Sequence, residues 1–75
     1  MNTLEIHAEW DDEANVWVAT SEDVPGLVTE AASMEALMTR LQAIIPELMA
    51  LNCGLTGQAI SFHVTSERTA IAQAA

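Results

Sequence analysis

Between Trp10 and Leu37 the chain reads WDDEANVWVATSEDVPGLVTEAASMEAL. An acidic turn, a Trp-bearing apolar run, a Val-Pro-Gly-Leu corner and a capped helix start follow one another without a linker. This order constrains the fold more than any other feature, because it sets strand, turn, strand, corner, strand, helix before any tertiary argument begins. Upstream, Leu4, Ile6, Ala8 and Trp10 alternate with Glu5, His7 and Glu9, the period-2 pattern of a half-buried strand. Asp11 to Asn15 is a turn by composition, and Val16 to Thr20 is rich in β-branched and aromatic residues, so the two runs predict a hairpin. Pairing Trp10 with Val16 places Ala8, Trp10, Val16 and Val18 on the core face and Trp17 and Ala19 on the other. A one-residue slip reverses the second strand.

After the corner, Pro25 removes a ladder donor and Gly26 can take a positive φ, leaving Leu27 to Ala31 for a short third strand. Ser33 is the expected N-cap, with Glu35 well placed against the helix dipole. Met34, Leu37, Met38, Leu41, Ile44, Ile45, Leu48 and Leu51 form one apolar stripe at helical spacing. Pro46 interrupts the backbone bonding of this helix, so a kinked helix from Met34 to Asn52 is predicted, closed by Gly54. Gln58 to Ser66 alternates again around Ile60, Phe62 and Val64, giving a fourth strand. The predicted organisation is a single domain over residues 1–66, with residues 67–75 a tail or short, frayed helix.

Short turns make the first three strands antiparallel neighbours, while the helix must cross back over the sheet before the fourth. A right-handed crossover sets the fourth strand beside the first and parallel to it. The expected fold is therefore α+β, strand-strand-strand-helix-strand, a mostly antiparallel four-stranded sheet in order 3-2-1-4 with the helix on one face.

At 75 residues there is room for one small core, and 51% hydrophobic residues place the chain outside the disordered class. A core of this size supplies little stability alone, which favours a partner, and a homodimer is expected. The net charge is −9, and every residue of the excess lies before Arg40. With Arg40 and Arg68 as the only Lys or Arg, nucleic-acid binding by the isolated chain is not expected, since that affinity comes from clustered bases. The same field attracts a basic protein. Cys53 stands alone, which excludes an internal disulfide. No apolar run approaches a membrane span, so a soluble, cytoplasmic protein is expected.

Val16-Trp17-Val18-Ala19, the corner Asp23-Val24-Pro25-Gly26-Leu27 and Thr29-Glu30-Ala31 before the helix together resemble the HicB-like antitoxin domain, over roughly residues 5–51. The resemblance implies a truncated RNase H-like fold without catalysis or cofactor, which inhibits a small basic HicA-type RNA-cleaving toxin by covering it. HicB antitoxins also carry a C-terminal DNA-binding segment, for which the residues after Ser66 leave no room. On this reading the partner contacts are Asp11, Asp12, Glu13, Glu22 and Asp23, with Trp17 as an exposed anchor. The alternative is a stand-alone structural or regulatory homodimer, associating through the open sheet face or the third-strand edge.

Two-metal nuclease chemistry requires several converging carboxylates. Glu5 and Glu9 share a face, but Glu35, Glu47 and Glu67 supply no evident completion. His7 and His63, with Glu9 or Glu5, form a possible His-His-carboxylate metal set or a pH-responsive patch if the first and fourth strands align. Solvated or Glu-paired histidines are the simpler expectation, and no metal is assigned. Met34, Met38 and Met49 fit core packing.

Overall fold

A computed structural model describes residues 3–75; Met1 and Asn2, the first positions of the expected domain, lie outside the described residues. The element order is β1 (Leu4–Asp11), β2 (Val16–Thr20), β3 (Val28–Ala31), α1 (Met34–Cys53) and β4 (Phe62–Glu67). One sheet has the order β3-β2-β1-β4. Pairings β1–β2 and β2–β3 are antiparallel and β1–β4 is parallel, as the crossover argument predicts.

The hairpin register differs from the expected one. Trp10 pairs with Trp17, Ala8 with Ala19 and Asp11 with Val16. Asp11 is the last residue of β1 rather than the first of the turn. Its Oδ1 accepts the N–H groups of Glu13 and Ala14, its carbonyl accepts that of Asn15, and Asn15 turns the chain at φ 57°. Lengthening β1 by this residue shifts the pairing and turns β2 over. Trp17 and Ala19 therefore face the helix, while Val16 and Val18 face outward. The choice is a packing one: Ala19 is completely buried, leaving space for the helix, and Trp17 meets Trp10 edge to face with ring centroids 5.4 Å apart.

Helix α1 begins where the sequence places its cap. Ser33 is extended, its Oγ accepts the Ala36 N–H at 3.1 Å, and Gly54 at φ 69° ends the helix. The helix runs through Pro46 as one element because its buried stripe continues on both sides: Leu37, Leu41, Ile45 and Met49 all lie inside. The apolar area buried beyond Pro46 offsets the lost backbone bond. Leu51, expected in the stripe, is 81% exposed because its position turns away from the row that ends at Met49.

The core consists of Ile6 and Ala8 from β1, Ala19 from β2, Val24 and Leu27 from the corner, Ala31 from β3 and the four helix residues. The helix approaches β3 and β2 most closely. At the far side of the sheet, Leu4, Ile60, Phe62 and Val64 are only partly buried. Beyond β4, residues 68–75 carry no regular structure and are exposed. Strand four is shorter at its start and one residue longer at its end than expected.

The open sheet face as candidate functional site

Because α1 covers one face, side chains of the opposite parity form an open surface built from register alone. On β1 they are Glu5, His7, Glu9 and Asp11. Beside them β4 presents His63 next to Glu5, Thr65 next to His7 and Glu67 next to Glu9. On the other side β2 and β3 set Thr20 and Val28 in the His7 row, and Val18 and Glu30 in the Glu9 row. The face thus carries Glu5, Glu9, Glu30 and Glu67 with two histidines, around the aliphatic patch of Val16, Val18 and Val28.

No arginine projects from the strands of this face. Arg40 belongs to α1, and the Arg68 guanidinium lies 4.0 Å from the centre of the Trp10 ring, at the rim of a hollow shared with Glu9, Asp12 and Glu67. His7 Nε2 is hydrogen-bonded with Glu9 Oε1 and His63 Nδ1 with Glu5 Oε1, both at 3.1 Å and both partly open to solvent. Each histidine therefore has its own glutamate. His7 and His63 do not converge on one centre; the group that does converge is His7, Glu9 and Glu67, whose possible ligand atoms lie within 4.8 Å of one another. Of the His7, His63 and Glu9 or Glu5 set read from the sequence, register places His63 beside Glu5 and brings Glu67 beside Glu9.

The corner brings two more acids to this surface. After β2 ends, Ser21 and Asp23 stand in for a strand alongside β1: Ser21 Oγ donates to the Glu5 carbonyl at 2.6 Å, and Asp23 Oδ2 accepts the Glu5 N–H at 2.8 Å. Ser21 Oγ also accepts from the Asp23 and Val24 N–H groups. These bonds hold Glu22 and Asp23 over a shallow concavity lined also by Glu5, Ile6, His7 and Thr65. At the other end of β1, Asp11 organises the turn, Asp12 Oδ1 accepts the Trp10 indole N–H at 2.7 Å, and Glu13 is exposed at the tip. The predicted acids therefore form two clusters at opposite ends of β1, about 20 Å apart at strand rise. Glu5, Glu9, Glu30 and Glu67 connect them. Trp17 is not among these outward groups; it is half-buried under the helix side.

The sequence reading does not place Glu30 at the site and sets Glu67 aside as a metal ligand. The alternation through His63 and Thr65, carried one step further, places Glu67 on the same face, and Glu30 follows from pairing with Val18. The signal was present in the parity but required the correct strand ends.

A family model spans residues 3–74, nearly all of the chain and including the segment after β4. The chain belongs to the DUF1902 family. The family is described as a domain of unknown function. A similar solved structure is that of a hypothetical protein from the extremely thermophilic bacterium Thermus thermophilus. Its crystal structure matches with a TM-score of 0.80 and 41% identity, over 93% of this chain and 99% of that one. None of the curated proteins matches. No helix among the described residues is long and apolar enough to cross a membrane.

Proposed function

We propose that this DUF1902 chain is a non-catalytic protein-binding module of the HicB-like antitoxin kind, whose open acidic face covers a small basic partner, by resemblance a HicA-type RNA-cleaving toxin. The observation that supports the reading is the uncovered sheet face, where Glu5, Glu9, Glu30 and Glu67 join the corner acids Glu22 and Asp23 without an intervening Lys or Arg. Such a surface raises the encounter rate with a cationic protein and weakens as salt rises. The aliphatic patch of Val16, Val18 and Val28 supplies area to bury at contact, the part Trp17 was expected to play. Asp11 and Asp12 each commit one oxygen to local bonds, so Glu13 is the freest acid at the turn. The basic product of an adjacent reading frame, or any HicA-type protein, should bind in calorimetry with a strong salt dependence. The double reversal Glu9→Lys and Glu30→Lys should abolish it. Binding unaffected by that reversal, or absent with every basic candidate tried, refutes the reading.

A second reading is supported by the convergence of His7, Glu9 and Glu67. One imidazole and two carboxylates suit a divalent cation such as zinc, with water completing the shell. Titration with zinc followed by native mass spectrometry should show one retained ion, lost in Glu67→Gln and kept in His63→Ala. Equal loss in both variants, or no retained ion, removes this site.

A further inference from the structure

We infer that the free edge of β4 is a self-association surface, pairing antiparallel with β4 of a second copy about a two-fold axis at Thr65. The inference is independent of the partner-masking reading, since it uses the sheet's edge and not its open face.

The backbone supplies the first argument. The Leu4 N–H donates to the Ser61 carbonyl, and β1 and β4 are parallel with Leu4 opposite Phe62. Alternation along a parallel ladder then turns the backbone groups of His63 and Thr65 toward β1 and those of Phe62, Val64 and Ser66 outward. These outward groups line an edge strand six residues long without a proline, a lysine or a bulge to deter another strand. The opposite edge differs. Strand β3 has four residues, follows Pro25 and Gly26, and lies beside the helix.

Side-chain cover supplies the second. Helix α1 comes closest to β3 and β2 and lies farther from β4. Phe62 and Val64, with Leu4 and Ile60, therefore stay partly open on the helix side. A two-fold axis normal to the sheet keeps both helices on the same side and joins the two half-covered strips into one apolar seam between them, closing the gap from both sides.

Charge selects the register. Opposed residues of an antiparallel pair share a face, so the axis must pass through a residue and not between two. At Thr65 it sets His63 of each copy opposite Glu67 of the other, two imidazole–carboxylate pairs within hydrogen-bonding register, while Val64 faces Ser66. Shifting the axis to Val64 sets His63 opposite Thr65 and loses both pairs. Cross-strand pairs that hydrogen-bond or carry opposite charge are the favourable ones.

The test uses the whole chain. Sedimentation equilibrium should give twice the 8.1 kDa of one chain. Ser66→Pro removes an outward donor and leaves the β1 ladder intact, so it should return the mass to that of one chain with unchanged circular dichroism. In a Cys53→Ser background, Thr65→Cys should oxidise to a disulfide-linked dimer several-fold faster than the parent chain does through its exposed Cys53. A single-chain mass at every soluble concentration overturns the inference. So does a dimer that Ser66→Pro leaves intact and Thr65→Cys fails to cross-link.

Discussion

The two sides of the sheet are finished to different degrees. On the β2–β3 side, the corner and the helix close over Val24, Leu27, Ala31, Leu37 and Leu41, all nearly or completely buried. On the β4 side the helix lies farther off, Phe62 and Val64 pack against the core but stay partly exposed, and the chain leaves as an exposed tail whose Ile71 is 88% accessible. The closed side holds the fold together. The other side retains unpaired backbone and uncovered apolar area, which are what a partner requires. In so small a domain one helix cannot cover four strands, so the uncovered strand is where association meets least resistance.

The sharpest way to break this comparison is to cut a methyl-rich side chain from each side. Leu41→Ala, beneath the helix, should cost about 2–5 kcal/mol in urea unfolding. Val64→Ala, on the open side, should cost the monomer less than half as much, because a half-buried side chain leaves no enclosed cavity. Similar losses at both positions would mean that β4 is as well covered as β2.

A smaller effect tests the corner. Gly26 sits at φ 81°, and a Cβ there would meet Leu48 and Asn52 only at 3.8 and 3.9 Å, ordinary contact distances. Gly26→Ala should therefore cost about 1–2 kcal/mol from backbone strain alone. A larger loss would show that the Asn52 bond to the Pro25 carbonyl is also broken. The smallest effect concerns the tail. Arg68→Ala removes the cation lying over Trp10 and should cost about 0.5–1 kcal/mol, with a change in tryptophan fluorescence. No change in either signal would detach the tail from the fold.

The legibility of the sequence varied with the range of the interaction involved. Element order, the Ser33 cap, the Gly54 stop and the parallel placement of β4 were readable because caps and periodicity act over a few residues and the crossover rule leaves few topologies. The hairpin register was not. Whether Asp11 ends a strand or starts a turn depends on three hydrogen bonds to it from the turn it precedes, and that single residue decides which way Trp17 points. The candidate site inherited the same uncertainty. Its glutamates on β1 were evident from alternation, but pairing His63 with Glu5 and Glu67 with Glu9 required the β1–β4 alignment, set by strands separated by the whole helix.

By itself, then, the chain determined an α+β domain with one acidic half and one helix, since local propensity, charge and connection lengths are written residue by residue. Only the tertiary structure decided which side chains share a face, because register is a long-range choice settled by how Ala19 and the tryptophans pack against the helix. That choice moved Trp17 inward and turned Val18 and Glu30 outward, while the separate β1–β4 alignment set His63 beside Glu5 and Glu67 beside Glu9.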